Sequence, residues 1–297
     1  MMATLALAEQ TAQLAPVRNL WQDSLYRLLR HRTGMIGLVI VLLLVVTGLL
    51  GPIVAPYDPN EMDFAARFAG PSLAHPMGAD DFGRDILSRI LVGARVSLQV
   101  GIIAVTLATV VGSVLGMVAG YSSRVVDEII MRLMDVLFAF PAILLAIAIL
   151  AMLGKGVANA MIAIGIVYTP IFARIARSSV LTIRNQEYVE AATAIGARRL
   201  RILWRHIFPN SLAPLIVEIS LSLAFAILAE AALSFFGLGT QPPDASWGRM
   251  LSEGRAYFRQ SIWLGVFPGL AIMLTVMGFN FLGDGLRDVL DPRMRDR

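Results

Sequence analysis

Arg184 to Asn210 reads RNQEYVEAATAIGARRLRILWRHIFPN, the one long polar segment in the second half of an otherwise apolar chain. Asn185 is placed to cap a short helix whose first turn carries Glu187 and Glu190 near the positive end of the helix dipole. Gly196 stands where a left-handed stop belongs. Beyond it a second helix is expected to run to Pro209, with Leu200, Leu203, Trp204 and Ile207 on one face and Arg198, Arg201 and Arg205 on another. That pattern suits a helix lying on a membrane surface. Ala191, Ala192 and Ala194 keep the first helix thin enough to dock into a groove of another protein, and the glycine sets the angle between the two pieces. The stretch is therefore expected to be a docking knuckle.

What surrounds it is a membrane protein. Of 297 residues, 57% are hydrophobic and 15% charged, far from the composition of a soluble domain. There is no cysteine, hence no disulfide or thiolate metal site, and His31, His75 and His206 are too scattered to form a ligand cluster. Met35 to Ala55 is uncharged and long enough to span, and too long for the apolar core of a cleavable leader. Before it, Trp21, Leu25, Leu28 and Leu29 fall on one face of an arginine-bearing interfacial helix. Further spans are expected at about Val96–Ala119, Ile129–Leu153, Val157–Val180, Leu212–Phe236 and Ile262–Leu282, which makes an all-helical protein of six spans. Gly112 and Gly116, four apart in the second span, with Gly120 beyond, permit close helix approach.

Lysine and arginine counts orient the chain. The N-terminal segment, the loop after the second span, the 174–210 region and the C-terminal tail together hold 17 of the 25, and the alternate loops hold 8. Both termini and the knuckle are thus expected in the cytoplasm, and the net charge of +4 reflects membrane asymmetry rather than a nucleic acid partner. Of the outer loops the longest, 56–95, ends in a helix carrying Ile86, Ile90 and Leu91, which Asp80 or Asp81 is placed to cap. A metal site from His75, Asp80, Asp81 and Asp85 is conceivable, but capping carboxylates account for that cluster without one.

Glu190-Ala191-Ala192, then Gly196, Ile207 and Pro209, resembles the EAA loop of ABC-importer permeases. The strings YDPN at 57–60, FPGLAI at 267–272 and LGDGLRDVLDP at 282–292 resemble the dipeptide and oligopeptide subgroup of that family, with glutathione and nickel permeases sharing much of the pattern. The resemblance runs from about Thr33 to Pro292 and implies the fold of a type I importer permease. It divides the chain into a cytoplasmic segment 1–34, a first span with its external loop 35–95, a five-helix core 96–286 containing the coupling loop 184–210, and a tail 287–297. It implies coupling to an ATPase through Glu187, Glu190, Ala191, Ala192, Gly196 and Ala197. The partners it implies are a second permease subunit in a heterodimer, two cytoplasmic ATPases, an external solute-binding protein and membrane lipid, all at a bacterial inner membrane and without cofactors.

The chain itself lacks the machinery of an enzyme. Its one lysine, Lys155, lies in Leu-Gly-Lys-Gly-Val between two spans, so no Gly-Lys-Ser/Thr phosphate loop exists, and neither H-E-x-x-H nor G-x-S-x-G occurs. A proton-coupled secondary transporter is the alternative from another class, resting on Glu218, Glu230 and Asp135 within spans; a channel would want a selectivity string that is not evident. Glu230, and with it Glu218, is a candidate for the translocation path, because a charge in the bilayer must face protein or water. For Glu230 the other reading is an arginine partner from a second subunit or a loop. Arg132 and Asp135, at i and i+3, are expected to pair.

Overall fold

The computed structural model describes residues 26–290, and among them every regular element is helical. In chain order these are α1 (Arg32–Val54), α2 (Ile86–Tyr121), α3 (Arg124–Phe138), α4 (Ala142–Leu153), α5 (Val157–Ile183), α6 (Glu187–Ala194), α7 (Arg199–Ile202), α8 (Phe208–Phe235), α9 (Trp247–Arg255) and α10 (Trp263–Leu290). Five helical runs are long and apolar enough to cross a membrane: α1, α2, α5, the run Arg199–Phe235 and α10. Among the described residues a sixth crossing is reached only when α3 and α4 are counted together as one bent pair. α3 and α4 meet at 94°, so the straight span expected over Ile129–Leu153 does not exist. The break sits at Ala139-Phe140-Pro141, where proline disfavours helical backbone in the residue before it. α4 alone, at about 1.5 Å per residue, is well short of the ~30 Å hydrocarbon core.

Helix packing is set by small residues, as expected where lipid removes the hydrophobic drive between helices. The longest shared seam joins α2 to α5. A Cβ at Gly112 would lie 2.5 Å from the Thr169 carbonyl, and one at Gly116 would collide with that of Ala173. The glycine spacing in α2 therefore marks a real seam. α1 lies on α10 through Gly34 and Gly285 in the same way, leaving Leu43, Leu49 and Ile53 outward as exposed apolar side chains.

α2 begins ten residues before the Val96 expected for the second span, and its cap is Asp85, not Asp80 or Asp81; Asp85 accepts from the Ser88 amide at 2.7 Å. Asp80 instead accepts from the Arg84 amide and guanidinium at 2.9 and 2.6 Å. Arg84 and Arg89, both buried, also reach Glu253 of α9 at 3.2 and 3.5 Å, which ties the outer loop to the outer end of the bundle. Asp81 lies beside this cluster; burial first, and then the Asp80 carboxylate, push its carboxyl above the ordinary range against the opposing pull of Arg84. Of the expected interfacial helix, Trp21 and Leu25 lie outside the described residues; residues 26–30 are helical, with Leu28 buried and Leu29 exposed.

Candidate functional site

The knuckle forms, with its parts rearranged. α6 starts after Gln186, whose extended backbone ends the preceding turn without a side-chain cap, so Asn185 does not cap it. Its C-terminus closes as the sequence suggests. Gly196 has φ +83°, its N–H donates to the Thr193 carbonyl at 3.0 Å, and the Ala197 N–H donates to the Ala192 carbonyl at 3.1 Å. These are the two bonds of a Schellman stop, which needs a left-handed residue at this position. Glu187, Glu190, Ala191 and Gly196 are exposed, and Ala192 and Ala197 are half-buried, so the six residues form one outward surface at the tip. Two apolar residues that the sequence did not flag are open beside it, Ile195 at 86% exposure and Tyr188, and Leu200, expected on the membrane-facing side of the second helix, is open as well. An isoleucine between a helix end and a glycine was the available signal.

The second piece is not a separate surface helix ending at Pro209. α7 passes through a π-helical turn, Leu203–Ile207, straight into α8, giving one run from Arg199 to Phe235. Proline removes its own backbone donor and crowds the carbonyl four residues earlier. The wider turn accommodates this, with the Phe208 N–H donating to the Leu203 carbonyl. Of the four apolar residues assigned to one face, only Ile207 is buried, while Leu200 and Trp204 are exposed.

The inner side of the knuckle is fixed to the membrane helices. Val189, Ile202 and Ile207 pack with Met117 of α2 and with Ala176 and Val180 of α5. Arg184 donates to the Gly120 carbonyl at 3.0 Å, and two nitrogens of Arg177 meet the two carboxylate oxygens of Asp127 on α3 at 2.5 and 2.6 Å. Asn210 donates to the His206 carbonyl at 2.6 Å and to the Tyr188 hydroxyl at 3.4 Å, which closes α6 onto the root of α8. α6 is thus held against α2 and α5 through Val189 and against the root of α8 through Tyr188, while the Arg177–Asp127 pair holds α5 to α3.

Glu230 and Glu218 are not brought together. Glu230 is 1% exposed, and its carboxylate accepts from Ser234 at 2.7 Å, Thr240 at 3.4 Å and Ser97 of α2 at 3.5 Å, with Ser246, the cap of α9, also bonded. Its surroundings are hydroxyls rather than an arginine of this chain or an open path. Glu218 is half-buried and accepts from Ser222 at 3.0 Å. Arg132 pairs with Glu128 at 3.1 Å, and Asp135 pairs across to Arg174 of α5 at 2.7 Å, so the expected Arg132–Asp135 pair is absent.

The architecture has known counterparts. A chain of the MetNI methionine ABC transporter in an inward facing form superposes with a TM-score of 0.58 over 68% of this chain and 96% of that one, at 16% identity, which is a likeness of fold. The dipeptide transport system permease protein DppC of Alkalihalophilus pseudofirmus is 47% identical over 93% of this chain and 90% of its own length. The glutathione transport system permease protein GsiD of Pectobacterium atrosepticum is 44% identical over 99% and 97%. The model of the N-terminal TM domain of oligopeptide transport permease C matches residues 19–71. That of binding-protein-dependent transport system inner membrane components matches residues 112–296, the part holding the knuckle and the helices it grips, and the chain belongs to this family.

Proposed function

We propose that this chain is the second-type permease subunit of an ATP-driven importer of dipeptides or short oligopeptides. The observation that carries the reading is the knuckle, an exposed tip clamped by a buried inner face to α2 and α5 and continuous with α8. In this reading a second permease completes the translocation path, two ATPases on the cytoplasmic side receive α6, and an external binding protein delivers the solute. The arginine excess around the knuckle and termini supports placing them in the cytoplasm. The chain hydrolyses nothing itself; its sequence has no phosphate loop, and energy enters as movement of the Glu187–Ala197 tip. Family membership leaves no need for a proton-coupled carrier.

Peptide is favoured over other solutes by the dipeptide permease relative at 47% identity. Glutathione is the second reading, favoured by the relative similar over almost the whole chain. The test is to purify the complex through a tag on this chain, reconstitute it in proteoliposomes with the binding protein found alongside it, and measure uptake of labelled dipeptide and of glutathione with and without ATP. ATP-dependent dipeptide uptake is expected. Uptake of glutathione alone would replace the substrate, and uptake without ATP would overturn the reading.

A further inference from the structure

α2 and α8 leave an apolar groove between them, on the knuckle's side of the bundle. It holds about 390 Å³ and runs from Leu203, Trp204 and Phe208 at one end to Thr109 and Ile219 at the other, with no charged side chain in its walls. Trp204 and Ile219 stand fifteen positions apart in one continuous helical run, about 22 Å along its axis. Half of a bilayer with its headgroups is about 20–22 Å thick, so the groove has the length of one leaflet.

Its surroundings place it against hydrocarbon. α2 carries no charged residue from Val96 to its end at Tyr121. Val110, Val114 and Val118, on successive turns at the groove, are 57%, 54% and 42% exposed. Bare valines on membrane-spanning runs face lipid or another protein rather than water. Where helices of this chain meet, as α2 meets α5 at Gly112 and Gly116, small residues let the backbones approach. The groove is walled instead by valine, leucine, isoleucine, methionine, phenylalanine and tryptophan, with neither glycine nor alanine, which suits a flexible chain better than a second helix.

Two polar features specify the occupant. Thr109 Oγ1 and Ser113 Oγ, one turn apart in the groove, are buried without a hydrogen-bond partner among the described residues, and Ser113 is only 6% exposed. Such hydroxyls favour an occupant that brings an acceptor. The mouth is cationic. Arg201 lies three positions before Trp204 and Arg205 follows it; both are exposed, neither has an ion-pair partner among the described residues, and no acidic residue occurs between Glu190 and Glu218. Trp204 is itself 63% exposed and meets Phe208 edge to face at 5.2 Å, as suits a tryptophan at headgroup level. An acyl chain for the groove, ester carbonyls for the hydroxyls and a phosphate for the arginines are parts of one molecule. We infer that the α2–α8 groove binds an anionic phospholipid of the leaflet on the knuckle's side, its headgroup held by Arg201 and Arg205. The lipid abuts the π turn that joins the knuckle to α8, and the inference is independent of which solute is carried.

The absence of native cysteine allows a direct test. Val114→Cys at the groove is labelled with a bimane fluorophore in the complete transporter, the partner subunits' thiols having been replaced, in phosphatidylcholine vesicles. Val39→Cys is the control, 47% exposed on α1 and as far from the start of that helix as Val114 is from the end of α2. A small fixed share of the lipid is then either phosphatidylglycerol or phosphatidylcholine with brominated chains, which quench on contact. Phosphatidylglycerol should occupy the groove about five- to thirtyfold more tightly than phosphatidylcholine, about fivefold for each arginine engaged, while the two lipids quench Val39→Cys alike. The preference should fall to near parity when Arg201→Gln and Arg205→Gln are combined. It should also fall as salt rises from about 0.1 M to 1 M, which shortens the screening length from about 10 Å to 3 Å, and this series decides the matter even where the double variant does not assemble. Equal quenching by the two lipids at Val114→Cys, the same preference at Val39→Cys, or a preference indifferent to salt or to loss of the arginines overturns the site. Quenching of Val114→Cys by neither lipid means that a protein partner covers the groove, and overturns it as well.

Discussion

Replacing Gly196 separates strain from docking, because the structure gives the two different causes. A Cβ built at Gly196 meets nothing within 4 Å, so no neighbouring atom of this chain opposes a side chain there. The backbone does oppose one. At φ +83° an alanine costs about 1 to 2 kcal/mol, and asparagine, which tolerates the left-handed region, costs less. If the strain were relieved by unwinding, the Thr193 and Ala192 carbonyls would lose their bonds and the end of α6 would fray. Gly196→Ala and Gly196→Leu share that strain, but only leucine adds bulk, and it adds it outward at the tip. Gly196→Asn should keep near-normal uptake and Gly196→Ala should lose a part of it. Gly196→Leu should abolish ATP-driven uptake while the complex still assembles in the membrane. The assay is the initial uptake rate in proteoliposomes beside binding-protein-stimulated ATP hydrolysis, at matched amounts of complex. Equal rates for the alanine and leucine variants would refute a docking surface at Gly196, and normal rates for all three would refute any role for the stop.

Three further predictions concern other parts of the chain. Glu230→Ala leaves the hydroxyls of Ser97, Ser234 and Thr240 without their acceptor, at about 1 to 3 kcal/mol for each group left buried and unbonded. Its apparent melting temperature should fall well below that of Glu230→Gln, which retains a carbonyl acceptor, and equal melting of the two would remove the hydroxyl cage as a structural element. Asp81, whose carboxyl is held above the ordinary range mainly by burial, favours the protonated form in the fold; its contribution is best at low pH and is lost as pH rises through the raised value. Asp81→Asn should therefore melt higher than the parent at neutral pH, with the difference shrinking toward about pH 4, and a difference that grows on acidification would contradict the assignment. For topology, Arg199→Cys should be labelled only from the cytoplasmic side and Asp244→Cys only from outside; both positions are exposed, whereas Ser246 is a buried cap and a poor reporter.

Much of this fold was legible because its causes are local. Long apolar runs announce the spans, and Gly196 announces its stop because only the left-handed region completes that pair of bonds. The failures share a different physics. Pro209 looked like a helix end, yet a five-residue π turn absorbs it and joins the knuckle to α8. Pro141 breaks the third span, but mean hydropathy over Ile129–Leu153 averages across the break. Asp135 has Arg132 three positions away and chooses Arg174, 39 positions away, because the oblique crossing of α3 and α5 brings that guanidinium closer. The partners of Glu230 were invisible for the same reason: Ser97 is 133 positions distant, and a serine in an apolar helix gives no hint of what it will face. At the candidate site the conspicuous polar and small residues were readable, whereas the exposed Ile195 and the buried Val189 that anchors the tip depend on packing.

In the proposed mechanism the tip around Gly196 seats in an ATPase subunit, and its seating drives transport. Ile195→Cys, exposed and next to the stop, can be cross-linked in the complete transporter by a short bifunctional thiol reagent, and the product identified by mass spectrometry with and without ATP. A cross-link from this chain to a co-purified ATPase subunit is expected, with loss of ATP-driven uptake as it forms. An Ile195→Cys transporter that imports with full ATP dependence and yields no cross-link to any ATPase would contradict it.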